Sequence, residues 1–289
     1  MSVTPLLFAL PKGRMQKGVL NLLAEAGIKV RMTERGYRPL VSYPGIEAKI
    51  LKPQNIIEML HAGTRDIGFA GADWVSELNA DVVELLDTEM DPVRLVAAAP
   101  VDLLVDHQLP DDRTLVIASE YENLTKRWIA AENLNANFVH SYGATEVFPP
   151  EDADCIVDNT STGSTLRANN LEIIKDLMHS STRLYAHKTA MENKDKRATI
   201  ETLVVLIKSV LEARKRVMLE LNVSNENLEA VIRALPSMRE PTVSPLHGQN
   251  SGFAVKSAVP RKELPQLIPE LKKHGGTDII VTALSQIVS

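Results

Sequence analysis

One stretch constrains the fold of this chain more than any other: Asp154-Cys155-Ile156-Val157-Asp158-Asn159-Thr160-Ser161-Thr162-Gly163-Ser164-Thr165-Leu166. A short apolar run with an acid at its start and another at its end reads as a buried strand. The hydroxyl-rich loop and the helix-forming run behind it complete a strand–loop–helix unit of the α/β type. Thr160, Ser161, Thr162, Ser164 and Thr165 supply hydroxyls, and Gly163 lets the backbone approach a ligand closely. Asn169 and Asn170 are read as part of the following helix. One hydroxyl there would be an ordinary helix cap. Five in six residues, behind a strand with two acids, exceed what capping needs. The pattern suits a phosphorylated sugar. Backbone N–H groups and hydroxyls hold a terminal phosphate at a helix N-terminus, while carboxylates reach ribose hydroxyls or a metal-bound pyrophosphate.

With 289 residues the chain is too long for one typical core and divides into two or three domains. Over the first two thirds, strands are expected at residues 3–10, 66–70, 94–99, 114–118 and 138–140. Helices are expected at 15–26, 53–62 and 122–132, the first two stopped by Gly27 and Gly63. This alternation predicts a parallel α/β sheet. Asp91-Pro92 marks the expected boundary between one lobe, 1–92 with 184–215, and a second, 93–183. A strand over 182–187 returns the chain to the first lobe. A long helix follows over 197–214, with Ile200, Leu203, Val204, Ile207, Val210 and Leu211 at helical spacing. Two lobes joined in this way leave a cleft, the default place for a ligand. The tail, 216–289, reads strand 217–223, helix 226–235, strands 242–246 and 252–259, helix 261–274 and strand 278–282. That β-α-β-β-α-β order is the ferredoxin-like pattern.

Two further turns carry chemistry. In Leu10-Pro11-Lys12-Gly13-Arg14 a basic residue stands on either side of a Gly, between a strand and a helix. That arrangement suits phosphate or pyrophosphate oxygens, and Arg14 can bind two at once; a solvated turn would also use these residues. In Asp66-Ile67-Gly68-Phe69-Ala70-Gly71-Ala72-Asp73 a strand ends between glycines and an acid opens the next helix. The glycines leave room for a ligand at the carboxyl end of a sheet, and Asp73 equally suits a helix N-terminus. The seven histidines show no metal-ligand spacing. Cys155, the single cysteine, reads as a small buried hydrophobe in a reducing compartment. A net charge of -5 offers no basic face to nucleic acid. No apolar run reaches the ~20 residues that span a bilayer, and the N-terminus lacks the basic-then-apolar order of a signal peptide. A cytoplasmic location is expected.

Together these residues resemble ATP phosphoribosyltransferase, the first enzyme of histidine biosynthesis. Pro11 to Arg14 match that family's first turn. Asp66 to Gly71 match its Asp-[Ile/Leu]-Gly-x-x-Gly segment. Asp154, Ile156, Asp158 and Ser161 to Leu166 match its phosphoribosyl pyrophosphate loop, with Glu146-Val147 also similar upstream. Pro241-Thr242-Val243-Ser244-Pro245-Leu246 resembles the regulatory domain of the long form, which the short form replaces with a separate subunit. The resemblance covers the whole chain. It implies a two-lobed periplasmic-binding-protein-like catalytic part and a ferredoxin-like regulatory domain. It implies transfer of the phosphoribosyl group to N1 of ATP, with Mg²⁺ held mainly by pyrophosphate. Lys12, Arg14 and Asp158 are implied as catalytic. Asp154, Asp158, Ser161, Thr162, Gly163, Ser164, Thr165 and Leu166 are implied for phosphoribosyl pyrophosphate. Leu10, Gly13, Arg14, Gly71 and Asp73 are implied for ATP. Histidine is implied as allosteric inhibitor, and the assembly as a dimer or hexamer. Asn159-Thr160 is more polar than the family pattern at that point.

Three rival readings share parts of this pattern. A two-lobed solute-binding protein fits the lobes but not the loop. A transferase acting on a free base shares the loop but not the tail. A transcriptional regulator would need a helix-turn-helix and a basic patch, and neither is evident.

Overall fold

The computed structural model describes residues 5–32, 36–248 and 251–288. Two compact units emerge, one of residues 1–21 with 28–201 and one of 22–27 with 202–289. In chain order the first unit contains β1 (Leu6–Pro11), α1 (Arg14–Glu25, whose last residues belong to the second unit), β2 (Val30–Arg31), β3 (Leu40–Val41), β4 (Ile46–Leu51), α2 (Pro53–His61), β5 (Ile67–Gly71) and α3 (Ala72–Glu77). It continues with β6 (Val83–Pro100), β7 (Leu115–Ser119), α4 (Glu122–Ala131), β8 (Ala136–His140), β9 (Cys155–Thr160), α5 (Ser164–Ala168), β10 (Leu171–Ala186), α6 (Lys188–Glu192) and the first turns of α7 (Lys194–Lys215). Val3 and Thr4, the start of the first expected strand, lie outside the described residues.

A single eight-stranded sheet runs through the first unit in the order β4-β1-β5-β10-β6-β9-β7-β8. The expectation of a parallel sheet holds at its two ends, where β1 is parallel to β4 and β5, and β7 to β8 and β9. It fails in the middle. β10 is antiparallel to both β5 and β6, and β6 is antiparallel to β9. The strands expected at 94–99 and 182–187 are the ends of two long crossing strands of 18 and 16 residues. Mixed charge in Leu171-Glu172-Ile173-Ile174-Lys175-Asp176 conceals the other half of β10 from a reading by hydrophobic pattern.

No strand ends at Asp91-Pro92. Pro cannot donate to a ladder, and here it falls at a register shift instead. Glu89 and Asp91 take positive φ of 57° and 47°, and side chains stitch the irregularity. The Thr88 hydroxyl donates to the Thr182 carbonyl at 2.5 Å, Ser181 to Asp87 at 2.7 Å, and Thr182 to Asp91 at 2.9 Å.

Where the central strands cross, residues 95–99 of β6 and 155–157 of β9 are continuously apolar because both faces are covered. Leu95, Ala97 and Ala99 of β6, with Cys155 and Val157 of β9, pack on one face against Tyr121 and Trp128. Val96, Ala98 and Ile156 pack on the other against Leu166 and Leu171. Cys155 is fully buried, and burial pushes its thiol up to about 12, so it remains a neutral core residue.

The second unit holds the rest of α7 and then β11 (Arg216–Val223), α8 (Leu228–Ala234), β12 (Thr242–Pro245), β13 (Phe253–Pro260), α9 (Leu264–Lys273) and β14 (Thr277–Ala283). Its four strands are ordered β12-β13-β11-β14 with every neighbour antiparallel, the ferredoxin-like arrangement. Strict alternation in β11 buries Val217, Leu219, Leu221 and Val223 with Val231 of α8 and Leu267 and Leu271 of α9. Along α7, Ile200, Leu203, Ile207 and Val210 are fully buried. Among the described residues no helix is long and apolar enough to cross a membrane.

Candidate active site

A cavity of about 250 Å³ lies where β9 runs out into its loop. Asp158, Asn159 and Thr160 line it from the strand. Ser161 and Thr162 line it from the loop, and Ser164, Thr165 and Leu166 from α5. Glu146 and Arg14 complete the wall. Three segments far apart in the chain therefore converge.

The loop is held by its own hydroxyls. The Gly163 N–H donates to Thr160 Oγ1 at 2.9 Å, and the Thr162 hydroxyl to Ser164 Oγ at 3.0 Å. Gly163 caps α5 with φ +72°, and a Cβ there would come within 3.0 Å of the Arg167 guanidinium. α5 has only five residues, so its dipole is small; N–H groups and hydroxyls must supply most of any anion affinity. Asn169 ends that helix and Asn170 lies outside it with φ 56°, a correction to the longer helix expected. Leu166 is buried in the core beneath the cavity and shapes its floor.

The acid before β9 and the acid within it part company. They are four residues apart, or about 13 Å along a strand. Asp158 lies at the cavity. Asp154 lies at the opposite end, where Arg113 donates to both its oxygens at 2.5 and 3.2 Å and the Val116 N–H donates at 2.8 Å. Burial raises the Asp154 carboxyl, but these hydrogen bonds and the guanidinium charge prevail and hold it below the usual carboxylate range. Asp154 thus anchors the strand, and the structure does not bring it to the cavity. At Asp158 burial wins. With Glu146 and Glu120 adding like charge, it is pushed up to about 6 despite the 2.7 Å hydrogen bond from the Asn159 N–H.

The first turn divides in a similar way. Gly13 takes φ +85° and turns the chain into α1, which sets Arg14 at the cavity wall. Lys12 turns to Tyr37, its ammonium 3.4 Å from the hydroxyl and 5.2 Å over the ring. Leu10 is fully buried in the core and does not line the cavity. Gly71 has no space for a side chain, since a Cβ would meet Asp73 Oδ1 at 2.0 Å. Asp73 is itself buried. Ser180 Oγ donates to its Oδ1 and Tyr121 Oη to its Oδ2, both at 2.7 Å. Asn159 Nδ2 then donates to Tyr121 Oη at 3.0 Å, so Asp73 reaches the cavity through two side chains. Tyr121 and the Asn159 side chain escape the sequence reading because nothing local links residues 38 positions apart. Glu146 reaches the cavity from a segment 12 positions upstream of Asp158, with no local pattern that marks it as a ligand residue.

The ATP phosphoribosyltransferase family profile matches residues 52–209, and the profile of that family's C-terminal domain matches 213–286. A protein of Desulforudis audaxviator named ATP phosphoribosyltransferase is 37% identical over 288 residues, 98% of this chain and 99% of its own length. One of the same name from Chlorobaculum parvum is 36% identical over 288 residues, 98% and 97% of the two lengths. Among solved structures, a chain of the Thermotoga maritima ATP phosphoribosyl transferase (HisG:HisZ) complex superposes with a TM-score of 0.62 at 25% identity. The match covers 70% of this chain and 98% of that one.

Proposed function

The chain belongs to the ATP phosphoribosyltransferase family, enzymes of the first step of histidine biosynthesis, and from that premise we propose that it transfers the phosphoribosyl group of phosphoribosyl pyrophosphate to N1 of ATP. The N1–C1′ bond forms as the bond from C1′ to pyrophosphate oxygen breaks, with inversion, and the leaving electron pair departs on pyrophosphate. Adenine N1 has a lone pair and needs no deprotonation to attack. The protein's task is then to orient two substrates and to stabilise the leaving anion.

The observation that carries the reading is the joining, in one cavity, of the hydroxyl loop, Asp158 and Arg14. Ser161 to Thr165 hold the 5-phosphate. Asp158 accepts from the ribose. Arg14 faces the pyrophosphate, and Lys12, which rests over Tyr37 outside the cavity wall, adds positive charge from the same turn. Gly13 and Gly71 let the backbone approach ATP, and Asp73 supports that side through Tyr121. Mg²⁺ arrives with pyrophosphate as its main ligand. The ferredoxin-like unit takes free histidine as feedback inhibitor, within a dimer or hexamer. The family's C-terminal profile over 213–286 supports this part of the reading.

A coupled assay tests it. Protein, ATP, phosphoribosyl pyrophosphate and Mg²⁺ are mixed, and pyrophosphate release and product absorbance are followed with and without histidine. Product suppressed by histidine is the expected outcome. Activity indifferent to histidine would remove the regulatory role, and turnover with a free base but not ATP would remove the acceptor. Arg14→Ala should lower kcat by about 10²-fold or more, the loss typical of a missing charge-stabilising donor, with an unchanged far-UV spectrum. Wild-type kinetics in that variant would take Arg14 out of the site.

A further inference from the structure

The buried hydrogen-bond chain behind the cavity fixes the orientation of one amide at its wall. Ser180 and Tyr121 each donate their hydroxyl proton to Asp73. Burial, reinforced by the charge of Asp73, pushes the Tyr121 hydroxyl well above its ordinary range, so the phenol keeps its proton. With that proton committed to Asp73, the Tyr121 oxygen can only accept. Asn159 therefore presents its NH₂ group to Tyr121, at 3.0 Å, and the amide cannot flip without setting oxygen against oxygen. Its Oδ1 is left over. Among the described residues no donor reaches that atom. Asn159 is half-buried and lines the cavity, and its own backbone N–H is occupied by Asp158. The cavity is thus lined by N–H groups and hydroxyls at Ser161 to Thr165 and, at its strand end, by Asp158 and Asn159, whose side chains leave the strand on opposite faces.

We propose that Asn159 is a specificity-determining residue whose side-chain oxygen accepts a hydrogen bond from a pentose hydroxyl of the ligand, with Tyr121 and Asp73 as positioning residues that hold it in that orientation. The proposal rests on the reading of the loop as the phosphate holder. A pentose 5-phosphate seated there brings its ring hydroxyls toward the strand end of the cavity. An acceptor held ready loses little entropy on binding and rejects a ligand that lacks the matching donor.

Calorimetric titration with two probes, ribose 5-phosphate and inorganic phosphate, tests this. In Asn159→Leu, ribose 5-phosphate should bind roughly fivefold to tenfold more weakly, the worth of one hydrogen bond, while phosphate binds as in the wild type. Tyr121→Phe, which frees the amide without removing it, should weaken ribose 5-phosphate by a smaller factor. It should have no further effect in the Asn159→Leu background. Unchanged ribose 5-phosphate affinity in Asn159→Leu would overturn the proposal. So would an equal loss for both probes, which would mean damage to the loop. A wild-type protein that binds neither probe would bring down the loop reading, and the proposal with it. Wild-type binding of both, with no change in the variants, would sink the proposal alone.

Discussion

Asp158 shows how the same residue type takes opposite roles at the two ends of one strand. Its carboxyl is raised to about 6 by burial and by Glu146 and Glu120. Between the ordinary carboxylate range and that value the folded protein binds more protons than the unfolded chain. Stability therefore falls as pH rises through that window, and the penalty is complete above about 6. About two units correspond to at most about 3 kcal/mol. Asp158→Asn should be more stable than the wild type at pH 7.5 by up to that amount, about 3 kcal/mol, and equal to it near pH 4. Urea unfolding at the two pH values checks this. A constant difference at both would mean that the charge at Asp158 is not the cause. The same variant should bind ribose 5-phosphate more weakly at pH 7.5, since the charged acceptor that disfavours the empty fold is the one a hydroxyl satisfies.

At the scale of elements, α3 and α4 are joined by a cap supplied from elsewhere in the chain. Tyr121, at the N-cap of α4, offers no side-chain cap of its own. The Glu77 carboxylate, at the end of α3, accepts the N–H groups of Asn123 and Leu124, each at 2.9 Å. Asn123 Nδ2 returns a bond to the Glu77 carbonyl at 2.9 Å. Glu77 is 4% exposed, so its removal leaves two helix donors without partners and without water. Glu77→Ala should cost about 2 kcal/mol in chemical denaturation, and Glu77→Gln, which keeps one acceptor, distinctly less. Equal costs for the two would assign the loss to packing rather than to the cap. The seam lies beside Asp73 and Tyr121, so its loosening should also reach Asn159.

At the scale of the whole molecule, the chain returns to its first lobe along β10, and an ion pair secures the return. Lys196, in the first turn of α7, donates to both oxygens of Asp66 at 2.8 Å, across 130 positions. Asp66 also accepts the Leu7 N–H at 2.7 Å, and the two side chains are only 16% and 9% exposed. Breaking a buried pair from one side leaves an uncompensated charge. Lys196→Met should therefore cost roughly 3–5 kcal/mol, while Asp66→Asn with Lys196→Met should recover much of it. Urea melts of the wild type, of each single variant and of the double variant measure the coupling. Additive losses would mean that each residue acts alone.

The loop of residues 160–165 was legible in the sequence because its chemistry is local: hydroxyls and a glycine at fixed spacing behind an apolar strand. The β-α-β-β-α-β order of the tail was legible for the same reason, since periodicity in β11 and α9 is a property of neighbours. Other features were settled by distance along the chain. Asp154 and Asp158 read alike, but strand geometry sets them at opposite ends, and only the surroundings met there, hydrogen bonds from Arg113 and Val116 for one and burial with Glu146 for the other, decide which carboxyl is lowered and which is raised. The antiparallel crossing of β6 and β10, and the line from Asp73 through Tyr121 to Asn159, join residues that no local pattern connects. A sequence by itself determines which groups are available and which segments become strands or helices, because those depend on neighbours. Which groups share a buried space, and so acquire new protonation states, fixed orientations and a common ligand, depends on long-range packing and was decided only by the tertiary structure.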